Sequence, residues 1–269
     1  MFDTTAAHQF SQLTLRRSAQ AWFFVAMLGQ LGFITFIALY YGARTISGDF
    51  ESWNDKPLIN GYISGDMAGN VMFILHALLA MVVTAGGLMQ LIPWLRNNAK
   101  TLHRITGRLF FVISIFLSVG GVWLVWVRGT RLSTAGGVSG TLNAALILWF
   151  CIAAWWHARG RRFVAHRRYA LRAFMVVNGV WFLRIGIMAW VIVNQGGRGM
   201  TATMDGPADI VLMFGSYLIP LALTELYLRC QNSRRAVVTF GAAVVIGIST
   251  LVTAIGVFGT IMLMWRPHL

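Results

Sequence analysis

The sequence predicts an all-α integral membrane protein, a bundle of seven transmembrane helices with the N-terminus cytoplasmic and the C-terminus outside. Three observations lead there. Of 269 residues, 57% are hydrophobic and 11% charged, against about a quarter charged in a soluble domain. The apolar residues gather in stretches of roughly 20, the length of helix that crosses a hydrocarbon core about 30 Å thick. The cations are unevenly shared: alternating the spans leaves fifteen Lys and Arg on the side of the N-terminus and six on the other. The richer side belongs in the cytoplasm by the positive-inside rule.

Taken in order, residues 1–20 are polar, contain Arg16 and Arg17, and read as a cytoplasmic tail. The apolar run 21–42 is too long for the core of a cleaved signal and lacks a small-x-small cleavage site, so it reads as a retained anchor. Residues 43–68, rich in Gly, Asp, Asn and Trp, must be an outer surface loop, because unpaired backbone does not lie in lipid. Further spans follow at 69–94, 109–127, 139–157, 172–193, 208–228 and 238–264. The chain divides into a tail (1–20), a first helix with its loop (21–68), a core membrane domain (69–230) and a seventh helix with its C-terminal tail (231–269). Most tryptophans lie near span ends, where they anchor at the interface. Cys151 and Cys230 read as free thiols.

A net charge of +14 does not make this a nucleic-acid binder, since the basic residues sit in short connections and form no contiguous basic face. The partner is the lipid bilayer, and the loop bias fits a bacterial inner (plasma) membrane. No H-E-x-x-H, Walker loop, G-x-S-x-G or carboxylate pair within a span is present, so hydrolytic and nucleotide chemistry find no support.

Ionisable groups inside spans cost a few kcal/mol and need a partner or a task. His76 in "FILHALLAM" lies roughly 10 Å, and Arg184 in "WFLRIGIMAW" roughly 13 Å, below the outer ends of their spans at 1.5 Å per residue. At that shared depth they would bind an anionic or quinone-like headgroup, with Arg184 as fixed cation and His76 as hydrogen-bond partner or proton carrier. The structural alternative has Arg184 snorkelling or held by a backbone carbonyl, and His76 bonded to a neighbouring helix. Spans without mid-depth prolines other than Pro220 argue against a transporter built on broken helices.

A second group gathers at the cytoplasmic rim. His103, His157 and His166 share one level with Arg108, Arg172 and Glu225. Glu225 is expected to pair with one of those arginines. His103 and His166 are the candidates for axial ligands of a b-type haem iron, which needs two imidazoles from different helices at one depth.

"LHRITGR" opening the third span, "HRRYALR" opening the fifth, His76 followed by Gly86, Gly87 and Gln90, Arg184, and Glu225 closing the sixth together resemble the DUF2306 family of bacterial membrane proteins, over about residues 70–230. The family brings no settled activity. The resemblance raises His76, His103, His166, Arg172, Arg184 and Glu225 as site candidates, and Tyr169 stands where the family pattern leads us to expect Trp. A weaker likeness is to di-haem proteins of the cytochrome b561 kind. Three readings follow: a membrane redox protein binding haem b or quinone, a small-molecule permease using Arg184 and His76, and a non-catalytic scaffold or sensor.

Overall fold

The computed structural model describes residues 4–56 and 59–269, and among them the chain is helical with no strand. Among the described residues six helices are long and apolar enough to cross a membrane, and a bent pair makes a seventh if it is one span.

The first helix, α1 (Thr4–Ile37), continues through one wide turn at Ala38–Gly42 into α2 (Ala43–Ile46). It starts far ahead of the apolar run that marks its span. Its polar early turns are held by the far end of the chain: His8 Nε2 lies 3.0 Å from the Ser233 carbonyl, and Gln12 donates to the carbonyls of Cys230 and Ser233. Leu15 is buried with Cys230, Ala242 and Ala243. Hydropathy marks only the membrane boundary here, because polar side chains bonded to carbonyls let the helix run on.

Next come α3 (Met67–Leu91), the short α4 (Pro93–Asn98), α5 (Lys100–Trp126) and α6 (Thr134–Arg159). The Asp66 carboxylate accepts from Gly69 N at 2.9 Å and the Ser133 hydroxyl from Gly136 N at 3.1 Å, so α3 and α6 begin on side-chain caps. Arg128 beside Asp66, with the Gly69 amide, holds that carboxyl below its ordinary value.

The fifth span is two helices, α7 (Phe163–Val177) and α8 (Gly179–Val193), bent by 54° at Asn178. The sequence suggests one straight span from 172. The break needs no proline: the Asn178 side chain turns back to donate to Phe174 O at 2.8 Å, competing with the helix ladder as Asn does, and Gly179 follows. A Cβ on Gly179 would meet Asn143 Nδ2 at 2.7 Å, so glycine lets α6 pack against the break. By contrast α9 (Pro207–Cys230) runs through Pro220. The last span is α10 (Ala236–Gly259) with a wide turn at Thr260–Trp265.

Around the bundle the order of packed neighbours is α1, α10, α8, α9, α7, α6, α5, α3 and back to α1. The ring is closed. Its outward faces leave Leu251 66%, Trp149 64% and Val119 59% exposed, a belt that in water would be an aggregation surface and that here meets lipid. One end of the bundle holds the 43–68 connection, and the opposite end carries most of the arginines.

The described residues of the 43–68 connection are folded. Trp53 is buried within the short turn Glu51–Asn54, and the Asn54 side chain accepts from Gly61 N and Tyr62 N. Arg128 ties the connection to α3 through Asp66, Gly61 O and Asn70. The Tyr40 hydroxyl, at the wide turn, donates toward the Ser52 and Trp53 carbonyls and accepts from Lys56 N at 3.0 Å. This end is capped by its own chain.

Candidate functional site

Below the cap, aromatic side chains line the junction of α1 and the end of α10. Phe33, Phe36 and Trp265 stack with ring centroids 5.5 Å apart, Tyr40 stacks on Phe36 at 5.2 Å, and Tyr41 meets Phe73 of α3 edge-on at 5.8 Å. Two cations from distant parts of the chain lie against this aromatic wall. The Arg184 guanidinium, from α8, lies 5.5 Å from the centre of Phe33. The Lys56 ammonium, from the cap, lies 4.8 Å from the centre of Phe36. Such faces attract cations through the ring quadrupole.

Lys56, Tyr41 and His76 each lie within electrostatic range of Arg184, and all four are half-buried. The structure thus brings His76 and Arg184, matched in depth by the sequence, into one neighbourhood. His76 stands against α5, where a Cβ on Gly121 would meet its Cε1 at 3.2 Å, and its Nδ1 is buried without a partner. Arg184 donates to Val180 O at 3.0 Å, one helical turn back, which occupies one nitrogen of the guanidinium. Its own carbonyl accepts from the Thr260 hydroxyl at 3.3 Å. That contact and the close crossing at Gly256 fix α8 against α10 where Arg184 projects.

The charge balance here is one-sided. Among the described residues the ion pairs are Arg44 with Asp55, Arg128 with Asp66 and Arg172 with Glu225. Among the described residues no carboxylate comes within pairing distance of Arg184 or Lys56. Burial first, and the Arg184 charge second, push the Lys56 ammonium down to about 8. Two cations held in a weakly hydrated setting without a counter-charge carry a penalty of several kcal/mol, and an anion with an apolar body would relieve it.

Lys56 and Tyr41 were not legible as members of this group. Lys56 belongs to a segment that reads as an outer surface loop, and Tyr41 lies within the first apolar run with no signal of its own. The one signal for the nearby break was the dipeptide Asn178–Gly179 inside "VVNGVWF", a turn pair hidden in an apolar window.

At the opposite end the structure brings most of the second group together. Arg172 and Glu225 form a bidentate pair, Nε to Oε1 and Nη2 to Oε2, the latter 3.0 Å. Arg172 also lies over the Tyr169 ring, and Tyr169 stacks on His157 with centroids 5.1 Å apart. His103 and His166 are within electrostatic reach of each other. Arg108 is exposed and joins no ion pair among the described residues. Gln90 donates to Thr106 Oγ1 at 2.6 Å and His103 O at 3.2 Å, clamping α3 to the start of α5.

His166 Nδ1 donates to Ala154 O at 3.0 Å, leaving Nε2 as its free nitrogen, the arrangement of many metal-bound histidines. A porphyrin, however, needs a flat slot between its two imidazoles. Buried Phe111 stands edge-on to His166 at 6.4 Å, and Ala154 and Ala173 are fully buried where α6 and α7 pack. The residues present offer two imidazoles at one level, and the side chains packed on His166 lend no support to a haem between them. No group of three or more His, Cys, Asp or Glu side chains is placed to hold a metal ion among the described residues.

Compared with known families, residues 73–228, more than half of the chain, match the family model described as a predicted membrane protein, DUF2306. No match was found among curated proteins or among solved structures.

Proposed function

We propose, for a chain that belongs to the DUF2306 family of predicted membrane proteins, that it is an anion-binding membrane protein of permease type. It would take a small carboxylate with an apolar body between α1, α3 and α8. The observation that carries this reading is the cation couple: Arg184, halfway along a span, and Lys56, folded in from the cap, share an aromatic wall, and neither forms an ion pair among the described residues. In this reading Arg184 is the fixed charge, Lys56 the second charge carried by the cap, and His76 and Tyr41 supply hydrogen bonds to the headgroup. The break at Asn178 supports it, because permeases place their sites beside interrupted helices. In this reading the capped end faces outside and the arginine-rich end the cytoplasm of a bacterial plasma membrane, an orientation that the distribution of Lys and Arg supports.

The test is thermal unfolding of the purified protein in detergent against a series of aliphatic and aromatic carboxylates. An anion at a hundred times its Kd adds about 2.7 kcal/mol of stability, and the same anion should be taken up by proteoliposomes. Arg184→Gln and Lys56→Met should each erase both responses. If no carboxylate stabilises the wild type, or if one does so equally in both variants, the assignment fails.

A further inference from the structure

At the arginine-rich end a groove of about 660 Å³ opens at the turn between α6 and α7, outside the anion site just described. Arg161, Arg162, Arg168 and Arg172 line it together with Phe163 and Val164. Glu225 neutralises Arg172, while Arg161, Arg162 and Arg168 have no carboxylate partner among the described residues. We propose that this groove binds the phosphate of an anionic phospholipid.

Four features of the groove point to that ligand. The first hydrogen bond of α7 runs from His166 N to Arg162 O, so the amides of Phe163, Val164 and Ala165 come before the ladder. The capping residue, Arg162, provides no side-chain acceptor for them. Free amides at a helix start are donors for a phosphate oxygen, and here they open into a volume already lined by guanidinium groups, whose planar forks match phosphate. Arg161 holds a left-handed backbone, φ 54°, a conformation uncommon for a residue with a side chain, and it fixes the turn that carries two of the arginines.

The remaining two features separate a lipid from a soluble phosphate. Phe163 is 66% and Val164 75% exposed beside those arginines, apolar surface that acyl chains would cover and water would not. Trp156, 65% exposed, lies beneath Arg162 with the guanidinium 5.1 Å from its ring centre, which sets the groove at the headgroup level where exposed tryptophans anchor. A cluster of four arginines at the start of a span, at this level, is the kind that attracts anionic lipid headgroups.

The experiment equilibrates detergent-purified protein with equimolar phosphatidylglycerol and phosphatidylcholine and measures retained lipid by mass spectrometry of the intact protein. The expected result is about a tenfold preference for phosphatidylglycerol, a factor that corresponds to about 1.4 kcal/mol. The preference should disappear in Arg161→Gln/Arg162→Gln/Arg168→Gln and persist in Arg96→Gln/Lys100→Gln/Arg104→Gln, which removes equal charge from a neighbouring connection. Equal loss in both triple variants would mean diffuse attraction to the whole basic end and would overturn the site. Displacement of phosphatidylglycerol by equimolar inorganic phosphate or glycerol phosphate would overturn the lipid as its source. Should the first triple variant fail to fold, Arg168→Gln alone is expected to lower the preference about threefold, and an unchanged preference there counts against the proposal.

Discussion

Replacing Gly256 by alanine probes the contact that sets the Arg184 segment. An added Cβ would fall inside the Ile185 carbonyl oxygen, with the Ile185 carbonyl carbon at 2.9 Å and its Cβ at 3.0 Å. Carbon atoms rest at about 3.5–4.0 Å, so α8 and α10 must part by roughly 0.5–1 Å. The obstructing atoms are mostly backbone, and no rotamer change relieves them. Overpacking of this kind costs about 1–3 kcal/mol, which for a chain of this size is a fall of about 2–12 °C in Tm. The parting also stretches the bond from the Thr260 hydroxyl to Arg184 O, 3.3 Å in the native packing, so carboxylate stabilisation should weaken with it. The assay is intrinsic fluorescence on heating in detergent, with Gly247→Ala as control. A Cβ on Gly247 meets nothing within 4 Å, and alanine is the better helix former by about 1 kcal/mol. A Gly256→Ala protein that melts at or above the Gly247→Ala protein would refute the close-crossing argument.

Other perturbations have equally definite outcomes. The Lys56 ammonium sits at about 8 in the fold against an ordinary 10.5, so the ligand-free protein should gain stability as pH rises from about 8 to about 10.5, while carboxylate affinity falls over the same range as the charge is lost. Lys56→Met should flatten that rise and raise ligand-free stability at pH 7 by about 1–3 kcal/mol, a ceiling taken from 1.36 kcal/mol per pH unit and reduced by the residual exposure of the group; unchanged melting across pH 7–11 would contradict it. Glu225→Gln leaves Arg172 unpaired in a site only 18% exposed on the arginine side and should cost about 1–2 kcal/mol, between wet and buried pairs. Arg172→Gln/Glu225→Gln should recover part of that loss in a double-mutant cycle, and additive losses would show that the pair is uncoupled. A reduced-minus-oxidised spectrum of the purified protein should show no Soret band, and a band abolished by His166→Ala would reverse the conclusion on haem.

The spans were legible because length and apolarity are local properties, and so was the meeting of Arg172 with Glu225, since one level at helix ends follows from counting residues. The shared depth of His76 and Arg184 was legible for the same reason. What escaped depends on contacts distant in sequence. The early turns of α1 are fixed by carbonyls more than 200 residues away, and Lys56 reaches the interior only because Tyr40 and Trp53 fold the connection inward. The bend at Asn178 was masked by the hydrophobicity around it, which led the proline count to argue against interrupted helices in the wrong span. For His103 and His166, level was readable but the packing around them was not, because the edge-on contact of Phe111 from α5 with His166 from α7 depends on how those two helices meet.

The phenol of Tyr40 gathers three backbone groups of the cap, and the last of them belongs to Lys56. Cover over the aromatic wall and the charge of Lys56 are thereby carried by one strap of chain. Lifting that strap would bare the wall and withdraw the ammonium from Arg184 in the same movement.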